Sequence, residues 1–241
     1  PEEFKKLIIQ GLKHLDERNL ILFAIKPRSA NIGYGWLEIK TSVRKESESL
    51  FKIENFVEKP NQKKANKLFE NTSFFWNSGI ILAQAKALIS HYEEFLPATL
   101  KAVKKSYEFS SKDMEFLRLN ESNWVKSNQI SIDYAILENS NQLYTIPYNG
   151  KWADIGSWLA VSEEISNNKE QNATYGNSTL FECNNTFLHS MEKDVQLVGV
   201  GLKNTIAVAT KDAILIVDKS KTQDIRQVVN ILKEKKINQA E

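Results

Sequence analysis

The stretch Phe56-Val57-Glu58-Lys59-Pro60 decides how this chain is read. A short apolar run stops there in a carboxylate, an ammonium and a proline. Pro60 cannot donate to a strand ladder and holds Lys59 extended, so the residue order predicts a strand that ends at this point. In an open α/β sheet ligands collect beyond the carboxyl ends of the strands. That would put Glu58 and Lys59 on the rim of a site, Glu58 accepting from hydroxyls and Lys59 facing a phosphate. A solvated strand exit would account for the tripeptide taken alone, so the flanking chain has to decide.

Upstream, Phe4, Leu7, Ile8, Gly11, Leu12 and Leu15 recur at the spacing of one helical face. Leu20 to Ile25 is a continuous apolar strand of the kind buried on both faces. Lys26-Pro27 ends it, and Gly33-Tyr34-Gly35 leads into the strand-like Trp36 to Lys40. Gly35 would let a backbone approach a ligand closely, although a bulge or turn explains it as well. Residues 41–50, polar and of mixed charge, read as a surface hairpin tip.

Downstream, Asn61 to Glu70 reads as a short polar helix, and Trp76-Asn77-Ser78-Gly79 enters the apolar strand Ile80 to Ala83. Asn77 at the mouth of a buried strand can offer an amide to hydroxyls, while Asn-Ser-Gly is also ordinary turn chemistry. Residues 85–110 are helical with a break at Pro97, and His91 reads as a surface residue without a second ligand at metal spacing. Ser131 to Glu138 opens as a helix capped by Ser131, with Asp133 in its first turn. Leu143 to Pro147 is a further strand. In Trp152-Ala153-Asp154-Ile155-Gly156-Ser157-Trp158, Asp154 stands between apolar neighbours, where a buried carboxylate would need a partner or a metal.

Residues 163–174 turn polar and read as a linker between a first domain, 1–162, and a small β-rich module, 175–241. The module holds short β-like runs at 178–182, 186–190, 195–200, 205–209 and 213–217, with His189 packed or at the surface. An amphipathic helix over 222–235 closes it, with Ile225, Val228, Val229, Ile231 and Leu232 inward.

The 241 residues suffice for a full core, and a net charge of +2 with mixed signs advertises neither nucleic acid nor an anionic membrane. No apolar run reaches membrane-spanning length. Cys183, the only cysteine, fits a reducing compartment. The chain opens on Pro1-Glu2-Glu3-Phe4 without an initiator Met or a secretory leader and is expected to be cut from something longer.

The phrases around Glu58, Phe75-Trp76-Asn77-Ser78-Gly79, Ser131-Ile132-Asp133-Tyr134-Ala135 and Trp152 to Trp158, in this order and spacing, closely resemble mannose-1-phosphate guanylyltransferases. Lys26-Pro27, Gly33-Tyr34-Gly35, Gly199 to Leu202 and Thr210 to Ala213 extend the resemblance over nearly the whole chain. It implies a Rossmann-like nucleotide-diphospho-sugar transferase fold, α/β with a mixed, mainly parallel sheet, plus a C-terminal β-helix-like module closed by a helix. It also implies GTP and mannose 1-phosphate as substrates, Mg²⁺ as cofactor, polysaccharide biosynthesis, a cytoplasmic setting and a homodimer as a candidate assembly.

By the same resemblance Asp154 would hold Mg²⁺, Lys59 would contact the sugar phosphate, Glu58 and Asn77 would read sugar hydroxyls, Gly35 would give the sugar a close backbone neighbour and Gly79 would shape the same wall. Asp133 takes a supporting role. The family's Gly-x-Gly-x-Arg loop has no counterpart in the chain, and the C-terminal cupin domain of bifunctional relatives is expected to lie beyond it. A sister enzyme for another sugar or base, or a non-catalytic subunit of the same fold, is the alternative. Joint retention of Glu58, Lys59 and Asp154 argues against the non-catalytic reading.

Overall fold

Every residue of Leu20–Ile25 is buried, and the N-terminal unit is built around this strand, β1. The computed structural model describes residues 2–39, 50–165 and 171–240 and divides into two units, Pro1–Trp152 and Ala153–Glu241. Helix α1 (Glu2–Leu12) precedes β1; β2 (Trp36–Ile39), β3 (Phe51–Val57), α2 (Gln62–Glu70) and β4 (Phe74–Leu82) follow. Next come α3 (Ala85–Phe95), α4 (Pro97–Glu108), the hairpin β5 (Ser111–Asp113) and β6 (Phe116–Arg118), and the short α5 (Glu121–Trp124). A π-helical turn (Asp133–Leu137) and β7 (Leu143–Tyr148) complete the unit. Local chemistry sets several of these bounds. The Asn61 side chain caps α2 by accepting the Lys64 N–H at 2.9 Å. Pro97 cannot continue α3 but suits the first turn of α4.

The strands hydrogen-bond in the order β1-β4-β2-β3-β7, and β7 returns to β1 to close the ring. Among the described residues only the β1–β7 pairing is parallel; the other four are antiparallel. The sheet is therefore mixed, as expected, but not mainly parallel. The apolar run of β1 misled on direction because it reports burial of both faces. Leu20, Leu22 and Ala24 join a core with Phe56, Phe75 and Ile136, whereas Ile21 and Phe23 join Ile146 and Phe4, Leu7 and Ile8 of α1. Helices cover both faces whatever the strand direction, and each buried apolar side chain contributes about 1.5–3 kcal/mol. Leu12, at 53% exposure, falls off the expected helical face.

Other expectations for this unit also change. His91 is buried rather than on the surface, its Nδ1 2.8 Å from the Ala87 carbonyl and its Nε2 2.9 Å from Ser140 Oγ. The segment after Ser131 is one wide π turn, closed by the Glu138 N–H on the Asp133 carbonyl at 3.0 Å, which buries Ala135, Ile136 and Leu137 in succession. The hairpin tip expected at 41–50 lies, but for Leu50, outside the described residues.

The second unit opens with α6 (Trp158–Ile165) and continues through β8 (Ala173–Gly176), β9 (Ser178–Phe181), β10 (Phe187–Ser190), β11 (Leu197–Val200), β12 (Thr205–Ala209) and β13 (Ile214–Asp218). A 3-10 segment, Lys219–Asp224, leads into α7 (Ile225–Glu234). β8, β10 and β12 lie side by side in parallel, with β13 antiparallel on β12, and β9 and β11 form a second parallel ladder. The polar composition at 163–174 is not a continuous linker, since Glu163 to Ile165 finish α6 and Ala173-Thr174 open β8. The apolar stripe of α7 is only partly inward, with Ile225, Val229 and Leu232 half-buried. Val228 and Ile231 are 51% and 48% exposed, and no described residue of the helix is buried. Among the described residues no helix is long and apolar enough to cross a membrane.

His189 sits in the core of this unit's aromatic cluster, its ring 4.9 Å from Tyr175, 5.3 Å from Trp158 and 6.2 Å from Phe187. Its buried Nδ1 has no hydrogen-bond partner among the described residues, and burial lowers its pKa. The unfolded chain thus takes up a proton that the folded unit resists, so stability is full at neutral pH and falls as pH drops through the ordinary histidine range. We expect the melting temperature to decline between about pH 7.5 and 5.5. His189→Phe should flatten that part of a thermal-denaturation pH series; an unchanged slope would refute this role.

Candidate functional site

Glu58 leaves the end of β3 with its side chain only 6% exposed. Gly35 precedes β2, and its carbonyl accepts the Asn77 N–H at 2.7 Å. A Cβ at Gly35 would lie 2.7 Å from Glu58 Oε2 and 3.3 Å from the Asn77 Cβ. Gly35 is thus neither a bulge nor a turn residue; its missing side chain is the space that Glu58 and Asn77 share. Three chain segments far apart in sequence converge here.

Asn77 is not at the mouth of a strand but within β4. The β1–β4 register passes from Ala24↔Asn77 to Leu22↔Ile81, so Ser78, Gly79 and Ile80 bulge opposite Phe23. Gly79 holds φ +75°, and its N–H donates to Asn77 Oδ1 at 3.1 Å, which fixes the amide. Asn77, 7% exposed, keeps its Nδ2 without a partner among the described residues. That donor is available to a hydroxyl.

Lys59 departs from the extended conformation that Pro60 favours. Its φ is +40°, in the left-handed region that a non-glycine residue enters at a cost of roughly 1–2 kcal/mol. Its Nζ lies 3.1 Å from Glu58 Oε1, and the ammonium remains 57% exposed. Burial, above all, pushes the Glu58 carboxyl above the usual carboxylate range; the hydrogen bond from Lys59 opposes this, and Asp133 and Glu138 add to it. The hydrogen bond to Glu58 and its charge raise the Lys59 pKa, with Tyr134 and Asp133 contributing in the same direction. The buried Glu58 carboxylate thus meets the exposed Lys59 ammonium on one side and the Gly35–Asn77 wall on the other, a combination suited to a polyhydroxylated anion.

Asp154 belongs to the second unit, in the segment leading to α6, and it is exposed rather than buried. Its apolar neighbours do not enclose it, since Ile155 is itself 59% exposed. Among the described residues no three His, Cys, Asp or Glu side chains converge as a metal cage. One contributor escaped sequence reasoning. Glu138 Oε1 accepts the Glu58 backbone N–H at 2.8 Å across a separation of 80 residues, a contact that no local pattern announces. A cavity of about 770 Å³ in the same unit, lined by Leu7, Pro27, Phe69, Phe74 and Pro147 among others, offers mainly apolar walls and contains none of the residues predicted for the site.

Residues 3–171 match the family model described as nucleotidyl transferase, and residues 176–232 match the MannoseP isomerase/GMP-like beta-helix domain. The chain is 31% identical over 235 residues to a mannose-1-phosphate guanylyltransferase of Salmonella montevideo, covering 96% of this chain and 49% of that protein. It is 28% identical over 222 residues to the Escherichia coli protein of the same name, covering 92% of this chain and 47% of that protein. The xanthan biosynthesis protein XanB of Xanthomonas campestris pv. campestris (strain ATCC 33913) is 30% identical over 230 residues, 95% of this chain and 48% of its own length. The chain spans about half the length of these curated relatives. A crystal structure from Thermus thermophilus, described as a mannose-1-phosphate geranyltransferase, superimposes with a TM-score of 0.81 at 19% identity over 96% of this chain and 65% of that one, which shows a shared fold. With the family model spanning most of its length and both units accounted for, the chain belongs to the nucleotidyl transferase family.

Proposed function

We propose that the chain carries the sugar-binding part of a GTP:mannose-1-phosphate guanylyltransferase that supplies GDP-mannose for polysaccharide biosynthesis in the cytoplasm. The observation that carries the reading is the convergence of Gly35, Glu58 and Asn77, with the exposed Lys59 ammonium beside them. The names of the curated relatives supply the sugar and the base.

In this reaction an oxygen of the sugar phosphate attacks the α-phosphorus of GTP in line, the bond to the departing β-phosphate oxygen breaks, and pyrophosphate leaves. The protein's work is positioning and neutralising charge. Glu58 accepts from sugar hydroxyls and Asn77 Nδ2 donates to one, which fixes the ring; Gly35 lets the sugar lie against backbone, and Gly79 shapes the same wall. Lys59 faces the sugar phosphate. Asp154 is the carboxylate that would hold Mg²⁺, an ion that needs only one or two protein carboxylates when phosphate oxygens and water complete its shell. When bound, Mg²⁺ would supply neutralisation of phosphate charge.

Calorimetric titration with mannose 1-phosphate, glucose 1-phosphate and mannose tests the sugar reading, and pyrophosphate release from GTP, UTP and dTTP by the complete enzyme tests the base. Equal affinity for all three sugars would sink the assignment. In the complete enzyme Lys59→Ala should mainly lower turnover because it faces charge that develops in transfer, whereas Asn77→Ala should mainly raise KM for mannose 1-phosphate, since the hydroxyls it touches do not change. Equal effects of both variants on both parameters would count against separate roles.

A further inference from the structure

We infer that Glu138 is a positioning residue that locks the Glu58-Lys59 dipeptide for a phosphorylated ligand; the inference rests on the sugar-phosphate reading of the site. Three observations lead to it. The antiparallel ladder between β2 and β3 ends at the pair Trp36↔Val57, so the next amide on β3, that of Glu58, loses its strand partner. Glu138 Oε1 takes that N–H at 2.8 Å, a charge-assisted bond at the one point where the strand could fray. The residue that follows, Lys59, holds φ +40° directly before Pro60. A lysine left to itself before proline relaxes to an extended backbone, and its side chain would then leave Glu58 Oε1, now 3.1 Å from Nζ. Something must hold it.

The anchor is itself rigid. Glu138 ends the π turn, its own N–H bonded to the Asp133 carbonyl at 3.0 Å, and Ala135, Ile136 and Leu137 root that turn in the core. Asn139 Nδ2 adds a further tie, donating to Tyr134 O at 2.9 Å and Ala135 O at 3.2 Å. The π turn thus supplies the Glu138 acceptor behind the dipeptide and places the Asp133 charge where both Glu58 and Lys59 feel it. In this arrangement Lys59 rests on Glu58 when the site is free and exchanges that partner for phosphate when ligand enters, while Glu138 keeps the backbone from moving with it.

The test is a double-mutant cycle on the full chain, read by titration with mannose 1-phosphate and with mannose. Glu138→Ala should weaken mannose 1-phosphate binding about tenfold and unphosphorylated mannose much less. Glu138→Gln, which keeps an acceptor oxygen, should restore most of the loss. In a Lys59→Ala background Glu138→Ala should add nearly nothing, because both changes remove one phosphate contact. Additive losses, or equal losses for the two sugars, would assign Glu138 to general stability and overturn the proposal. Absence of any mannose 1-phosphate binding by the parent chain would instead overturn the functional reading. The anchor is then still decided without ligand by hydrogen exchange at the Glu58 amide, which Glu138→Ala should speed about tenfold or more; an unchanged rate refutes it.

Discussion

Gly35→Ala should fold normally and bind mannose 1-phosphate about 10- to 100-fold more weakly, the loss that follows when a buried polar group is displaced from its ligand. The new methyl group would sit 2.7 Å from Glu58 Oε2, 3.0 Å from Phe56 Cζ and 3.3 Å from the Asn77 Cβ. The first of these is the end of a flexible side chain, which can swing away at little cost to stability. That swing removes the acceptor from the site, so the cost appears in binding. A calorimetric titration beside a thermal melt separates the two effects. If Gly35→Ala retained parent affinity, Glu58 could not be reading the sugar in the position seen here.

The second large effect lies in the C-terminal unit. Gly176 ends β8 with φ +68°, and a Cβ there would fall 1.9 Å from the Ser190 carbonyl oxygen in the adjacent strand β10. Backbone cannot step aside as a side chain can, so Gly176→Ala has to push β8 and β10 away from each other. We expect a loss of about 3 kcal/mol or more, enough to melt this unit well below the parent. Gly201 is the matched control, since it has φ +66° with open space around its Cβ. Its change to alanine should cost only the left-handed backbone penalty, about 1–2 kcal/mol. Equal destabilisation by both changes in circular-dichroism melts would show that the close strand approach at Gly176 does not govern stability.

Features written in local patterns were legible in the sequence. The buried run of β1, the break at Pro97 and the strands β9 to β13 come from apolar periodicity and turn residues, and they lie where periodicity places them. Strand direction was not legible, because two-sided burial looks alike in parallel and antiparallel neighbours. β8 was hidden inside polar composition, since Thr174, Tyr175 and Gly176 are exposed and only Ala173 joins the core. The amphipathic pattern of α7 described a stripe without saying what would cover it, and His91 looked solvated because its neighbours Glu93 and Glu94 are charged although its own face of α3 is inward.

Within the site, Glu58, Asn77 and Gly35 could be singled out by type, but their shared space is a tertiary fact. The same holds for the left-handed Lys59. Proline restricts the residue before it towards extended backbone, and only the flanking contacts of Glu58, made by a residue 80 positions away, show why that preference gives way. Asp154 errs in the opposite direction, because apolar neighbours in an irregular segment do not bury a carboxylate as they would in a strand.

The C-terminal unit also holds the chain's single thiol. Cys183 is 8% exposed; its sulfur accepts the Leu202 N–H at 3.3 Å and lies 3.3 Å from the Phe181 carbonyl, in the segment between β9 and β10. Opening of the segments around Phe181, Gly199 and Leu202 would expose it further to a reagent that modifies free thiols. The pace of that reaction therefore reports how often these segments open, with no label added and no background from a second cysteine.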